Sequence, residues 1–499
     1  MSQLPKAWKT VRLSDIAEVR LGRQRSPKRA QGPNMVPYLR AANVTWNGIS
    51  LADVKEMDFN ASEVQTYRLR SGDILLAEAS GSAAEVGKPA IWRDQLPLCC
   101  FQNTLIRVRA PEEDVEYLHR HFLNDAVSGA FAASSRGVGI HHLGARSLSD
   151  WEVKLPPRPE QSRIVEALDS CLTRLDAAEA ALQRAEANLK RYRASVLQAA
   201  VEGRLVPTEA ELARQEGRDY EPASVLLERI LAERRRRWEE AELAKVEAKG
   251  KAPKGDGWRK RYKEPVASNG ATLPTLPEGW SWASLDQLTS HLTSGSRDWS
   301  PYYGQGAALF ILAQNVRPMC LDLTARQVVA PPAGDPAADR SRVAEGDLLV
   351  TIVGANTGDA CRVRGPLAEA FVCQSVALVR PSSLVEAFSG FLECYLNSPS
   401  GQKHFDRLMY GQGRPHLSFQ DLRETPVPLP PLREIERVVL AVEGEGSIAS
   451  VEALVAQSGK VQRLRQAILR WAFEGKLVEQ HHDDQLAPGA AADSVQTEH

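Results

Sequence analysis

The feature that most limits what this chain can fold into is that it is written twice. Leu4-Pro5-x-x-Trp8 returns as Leu276-Pro277-x-x-Trp280, 272 positions later. The same offset carries Ala42-Asn43-Val44 onto Gln314-Asn315-Val316, Gln102 onto Gln374, and Glu202-Gly203-Arg204-Leu205-Val206 onto Glu474-Gly475-Lys476-Leu477-Val478. Gly72-Asp73-Ile74-Leu75 and Val153-x-Leu155-Pro156-Pro157 recur as Gly346-Asp347-Leu348-Leu349 and Val427-x-Leu429-Pro430-Pro431, both at 274, a drift that small loop differences explain. So many ordered matches at nearly one offset make the chain a duplicated unit, roughly 4–207 and 276–479.

Each copy has two parts of different character. Residues 4–157 and 276–431 carry short apolar runs such as Ile74-Leu75-Leu76 and Leu348-Leu349-Val350, broken by Gly and Pro, which predicts two similar strand-rich α+β globular domains. A double proline then stops the strands, and helices are predicted over 158–207 and 432–479. In the first, Leu168, Leu175, Leu182, Leu189 and Val196 fall every seven residues, with Cys171, Ala178, Ala185 and Tyr192 three residues after each of the first four. The second keeps Leu454, Val461 and Ile468, flanked by Val451, Leu464 and Trp471, but Glu443-Gly444-Glu445-Gly446-Ser447 predicts a kink or a late start. So narrow a seam favours a coiled coil between the two helices, and the competing arrangement packs each helix on its own globular domain. Residues 208–275 read as a charged helical linker or insert, in which the run Arg234 to Arg237 among glutamates reads as a solvated face, and 480–499 as a disordered tail.

Composition removes several function classes. With 499 residues, 43% hydrophobic and 25% charged, the chain suits a globular protein of more than one domain. Without an apolar signal core or a membrane-length apolar run, a cytoplasmic location is expected. The seven cysteines are scattered, with no C-x-x-C, and suggest neither a disulfide framework nor a zinc site. A net charge of -1 leaves any nucleic-acid binding to local charge. No metalloprotease, nucleophile-elbow or dinucleotide fingerprint occurs. Gly81 to Lys88 has the wrong spacing for a phosphate loop, and no Asn-Pro-Pro-aromatic motif of amino-methyltransferases is present. No catalytic residue, metal ligand or resident cofactor is expected.

The Trp-led start, the strand ending in Asn-Val, the Gly-Asp-aliphatic strand and the Leu-Pro-Pro-x-x-Glu entry into a long helix, each present twice, resemble the specificity subunits of type I restriction-modification enzymes. The family's Glu-Gln after the double proline stands as Glu160-Gln161 and becomes Glu434-Ile435 in the second copy. The resemblance implies two target-recognition domains, each reading one half of a bipartite DNA target, joined by two long antiparallel helices that also dock two methyltransferase subunits. It further implies that restriction subunits join the complex, and that S-adenosylmethionine, ATP and magnesium are bound by those partners. The competing readings are a self-sufficient DNA-modifying enzyme and a coiled-coil scaffold without a DNA role.

For DNA contact the sequence offers local charge. Between Glu18 and Asp53 there is no acidic residue, while Arg20, Arg23, Arg25, Lys28, Arg29 and Arg40 supply cations suited to phosphates and guanine edges. The second domain is less basic there and would use Arg297 with Gln314, Asn356 and Thr357. Two glycine-rich loops add Arg136 with His141, and Arg414 with His416. Asn43 and Asn315 recur in domains expected to read different bases, which marks them as structural.

Overall fold

The duplication in sequence is a duplication of strand order. A computed structural model describes residues 4–26, 30–80, 82–134, 141–248, 256–268, 273–382, 386–411, 413, 415–444 and 447–479, with backbone alone for 83, 256, 386 and 447–459. Lys28, Arg29, Arg136, Arg414, the side chain of Leu454 and the 480–499 tail lie outside the described residues.

In the first copy, strands Glu18–Leu21, Leu105–Arg109, Ile74–Ala77 and Pro89–Ile91 form a four-stranded antiparallel sheet in that spatial order. The second copy repeats it with Thr289–Ser294, Val376–Pro381, Leu348–Thr351 and Ala360–Arg362. A second sheet orders Cys100–Phe101, Met35–Leu39 and Lys55–Asp58, and its counterpart orders Ala370–Val372, Tyr303–Ile311 and Val328–Val329. Lys9–Arg12 pairs with Glu152–Leu155, as Ser281–Ser284 does with Pro426–Leu429.

The apolar runs are continuous because these sheets are covered on both faces. Ile74, Leu76, Ile106 and Val108 point into one core with Trp8, Leu13 and Phe122, while Leu75 and Leu105 point into another with Leu39, Trp92 and Phe101. Leu348 and Val350 are likewise separated from Leu349. The recurring Gly-Asp motif is a staple at the start of this strand. Asp73 receives Arg109 Nε at 2.6 Å and Nη2 at 2.7 Å, and Asp347 receives the same two nitrogens of Arg380, both at 2.7 Å. Both aspartates are 1% exposed, so each fork holds two strands of the sheet together through a desolvated carboxylate.

Contacts divide the chain into two compact units, residues 1–184 with 455–499, and residues 185–454. In the first, the 44-residue helix Arg158–Val201 begins by burying Ile164 and Leu168 among Ile468, Leu469, Ala472 and Phe473 of the helix Ser447–Ala472 and its exit. Arg465 of the second helix forms ion pairs with Asp176 and, at 3.7 Å, Glu179, so these stretches run antiparallel. Leu168 also belongs to the globular core, so at this end the long helix packs on its own domain as well as beside the second helix. Leu175 packs at the margin of that core, and Leu182, Leu189 and Val461 are half-buried. Leu464 and Trp471, expected beside the seam, are exposed. Their places are taken by Leu469 and Ala472, because a helix that packs on a domain as well as on a helix needs a broader stripe than a heptad gives.

In the second unit Val196, Leu197, Ala200 and Val201 of the same long helix pack with Trp280, Phe391, Ile435 and Val438. The charged stretch also folds here. Helices Glu209–Glu216 and Ala223–Glu247 follow the long helix, and Ala223, Leu226 and Ile230 are buried in the unit's core. The second helical part is described as Leu432–Gly444 and Ser447–Ala472; Glu445 and Gly446, within the stretch where a kink or late start is expected, lie outside the described residues.

The paired tryptophans and glutamates explain each other. Trp8 Nε1 donates to Glu160 Oε1 at 2.9 Å, and Trp280 Nε1 donates to Glu434 Oε1 at 3.0 Å, both buried. The start of each globular domain is thereby fixed to the start of its long helix.

Candidate nucleic-acid interface

In the first domain the strand Glu18–Leu21 ends where the chain crosses the second sheet at Gly22. A Cβ there would lie 2.2 Å from the Gln102 carbonyl oxygen, so only glycine permits the crossing. The cations that follow have different fates. Arg23 is only 7% exposed, with Nε on Glu63 Oε1 at 3.0 Å, Nη1 on the Asp58 carbonyl at 2.8 Å, and its guanidinium 4.6 Å from the Phe59 ring centre. That environment corrects the expectation of DNA contact for this residue: Arg23 anchors the loop. Arg25 is exposed, and with Arg40, Lys55, Gln102 and Thr104 it lines an open cavity of about 470 Å³. Asp53 pairs with both Arg40 and Lys55, the latter at 2.6 Å, and the Lys55 hydrogen bond leads the effects that hold its carboxyl below the usual range. This keeps two cations fixed at the rim. Arg20 lies outside the cavity lining and forms a 2.7 Å pair with Glu18.

The second domain repeats the crossing at Gly295, where a Cβ would lie 1.7 Å from the Val372 carbonyl oxygen. Ser296, Arg297 and Asp298 then border a cavity of about 850 Å³ with Arg340, Gln374 and His416. Gln102 and Gln374, matched by the repeat, thus line cavities placed alike in the two domains. The linings differ: Arg25, Arg40 and Lys55 in one, Arg297, Arg340 and His416 in the other. His416 is held by main-chain bonds to Tyr410 in both directions, its ring 4.9 Å from the Tyr410 ring. Its Nδ1 is buried without a hydrogen-bond partner among the described residues.

Other expected contacts fall elsewhere. Thr357 is 8% exposed and donates its hydroxyl to the carbonyls of Gly354 at 2.7 Å and Pro415 at 2.9 Å, which makes it a brace for the His416 loop and corrects its reading as a DNA contact. Asn356, half-buried, accepts from the Asp359 amide at 3.0 Å in the same turn. Gln314 is exposed, at the position that Ala42 takes in the first domain, where it lines the cavity. His141 is half-buried in a short strand against Ala79–Ser80. Asn43 and Asn315 are structural, each 2% exposed. Each side-chain amide donates to two loop carbonyls, of Ser50 and Asp53 or of Asp322 and Ala325, and each Oδ1 accepts a main-chain N–H.

The structure adds residues that sequence reasoning did not single out. Lys55 lies just past Asp53, which closed the acid-free window, and Arg340 is an isolated cation. His142 had a signal: it is the counterpart of His416 at offset 274, is exposed, and places Nδ1 3.2 Å from Glu78. Among the described residues no group of three or more His, Cys, Asp or Glu could hold a metal ion.

The two α+β domains thus share one strand order, and each has an open polar cavity at the same point of the repeat. Residues 5–187 match the type I restriction modification DNA specificity domain. The chain is 28% identical over 391 residues to the type I restriction enzyme EcoBI specificity subunit of Escherichia coli, covering 76% of this chain and 71% of that protein. It is 22% identical over 500 residues to the EcoKI specificity subunit of Escherichia coli strain K12, covering 96% and 91%. A chain from a structural study of complex assembly and conformational transition in the type I R-M system shares the fold, with TM-score 0.59, 18% identity and coverage of 95% of this chain and 99% of that one. Over most of its length the chain is thus similar to type I restriction enzyme specificity subunits, and residues 5–187 carry the match to their DNA specificity domain.

Proposed function

We propose that this chain is the DNA-specificity subunit of a type I restriction-modification complex. It binds a bipartite, asymmetric target, one half-site per globular domain, and directs two methyltransferase subunits and the restriction subunits to it. The observation that carries this reading is the pair of repeat-equivalent cavities with unequal linings. Arginine presents a fork that matches two acceptors on guanine or on phosphate, whereas glutamine offers a donor and an acceptor to adenine. A shared glutamine with different neighbours therefore suits two related surfaces that read different bases. In this reading the chain itself is non-catalytic, and S-adenosylmethionine, ATP and magnesium are held by its partners. Among the described residues no helix is long and apolar enough to cross a membrane, which agrees with work on DNA in the cytoplasm.

The test is an exchange of residues 4–157 for the matching domain of a relative, in cells that supply the native methyltransferase. Methylome sequencing is expected to show one half-site changed and the other kept. A change in both half-sites, or in neither with methylation intact, overturns the assignment of one half-site to each domain. The purified chain given S-adenosylmethionine, ATP and DNA is expected to show no turnover, and turnover above buffer would point to a self-sufficient enzyme.

A further inference from the structure

The arginine run in helix Ala223–Glu247 divides in two. Arg236 is exposed and tied to Glu233 at 2.6 Å and Glu240 at 2.5 Å, and Arg235 reaches Glu239 at 3.5 Å, as a solvated charged face would. Arg234 and Arg237 instead line a cavity of about 450 Å³ in the second unit, together with Arg261 and Lys263. Its remaining walls include Trp238, Tyr262 and Ser382. Asp286, Glu233 and Glu242 approach Arg234, Arg237 and Arg261 at 3.6, 2.7 and 3.5 Å, but no carboxylate lines the cavity among the described residues.

Ser382 Oγ, in a residue only 5% exposed, has no hydrogen-bond partner among the described residues, while Arg234 and the Tyr262 hydroxyl lie within hydrogen-bonding reach of each other. A buried donor left without an acceptor is costly, so the Ser382 hydroxyl at the wall of a cavity lined by Arg234, Arg237, Arg261 and Lys263 points to an acceptor-rich ligand. A guanidinium fork matches phosphate oxygens. Trp238, its ring 6.1 Å from that of Trp258 and 5.2 Å from that of Tyr262, adds an aromatic wall against which a base can lie. The volume lies in the range of roughly 300–1,000 Å³ that small-ligand pockets occupy.

We propose that this cavity binds a nucleoside phosphate, its phosphate held by Arg234, Arg237 and Lys263 with the Ser382 and Tyr262 hydroxyls donating, and its base against Trp238. The site is separate from both candidate DNA-reading cavities, and the nucleotide could be free or part of a single strand. The full chain is titrated calorimetrically with AMP, with inorganic phosphate and with a short single-stranded oligonucleotide, and compared with the double variant Arg237→Gln, Lys263→Gln. Both residues are exposed, and an unchanged thermal midpoint confirms folding.

AMP is expected to bind more tightly than phosphate, and the variant to weaken it about tenfold, equal to ~1.4 kcal/mol. Weakening confined to the oligonucleotide assigns the phosphate to a strand, and weakening with AMP assigns it to a free nucleotide. No binding of any probe at millimolar concentration, or equal binding by the folded variant, overturns the proposal. Because the double variant leaves the half-site cavities untouched, target methylation in cells separates this result from a failure of the specificity reading.

Discussion

Gln314 and Asn315 are neighbours with opposite uses. Asn315 is spent inside, its amide bridging three main-chain groups of its own loop, while Gln314 is exposed at the end of a strand. Asn315→Ala is expected to cost about 2–3 kcal/mol in urea unfolding, because buried main-chain groups lose their partners, with the methylated sequence unchanged. Gln314→Ala is expected to stay within about 0.5 kcal/mol of the parent while altering affinity for the second half-site only. A Gln314 variant with unchanged target binding removes that residue from the interface. A pH effect resides in Glu434. Burial is the largest influence on its carboxyl and pushes it up to about 7 from an ordinary 4.5, against the pull of the Glu209 amide, the Trp280 indole and Arg437. A carboxyl raised on folding holds its proton longer in the folded chain. Its contribution is therefore complete below about pH 4.5 and is lost as the pH rises through about 7, a fall of about 3 kcal/mol at most. Glu434→Gln, which like the protonated acid keeps one good acceptor, is expected to flatten that fall in urea unfolding between acid and neutral pH. Equal slopes in variant and parent would exclude Glu434 as its source.

At the scale of elements, what the sequence made legible was whatever the repeat wrote twice. The Trp, Gly-Asp and Leu-Pro-Pro-x-x-Glu motifs each became a structural contact, and the two domains share one strand order. The site was less legible for the same reason: residues that read different sequences need not recur. A basic window also cannot tell Arg23, drawn inward by Glu63 and Phe59, from Arg25 two positions later. Periodicity misled at Leu464 and Trp471, since a heptad describes a helix with one partner and this one has two. The long helical parts end alike. Gly203 and Gly475 both have φ +68, and a Cβ would lie 2.8 Å from Pro277 Cγ in one case and 2.3 Å from Pro5 Cγ in the other. Each helical part is thus seated against the start of the other copy's globular domain. Alanine at either position is expected to cost roughly 1–3 kcal/mol from backbone strain, and more at Gly475, where the contact is tighter. Thermal unfolding of the two variants checks the order. Equal, negligible losses would mean that these seats do not stabilise the fold.

For the whole molecule, the division into units matters because of where the chain crosses between them. The long helix Arg158–Val201 passes from the first unit to the second after Arg184, and the helix Ser447–Ala472 passes back after Leu454. Both crossings lie inside helices, and a rigid helix converts residues into distance. Inserting one seven-residue repeat after Glu186 and another after Ser458 keeps the apolar stripe in phase in both helices. Each then lengthens by about 10 Å at ~1.5 Å per residue. With ~3.4 Å of duplex per base pair, the non-specific spacer of the target is expected to grow by up to about three base pairs, while the bases within each half-site stay the same. The measurement is methylome sequencing in cells carrying the double insertion with its native methyltransferase. The insertion in only one helix serves as control, since it puts the two crossings out of step and is expected to abolish methylation. A double insertion that methylates the original target at its original spacing would exclude the helices as the ruler.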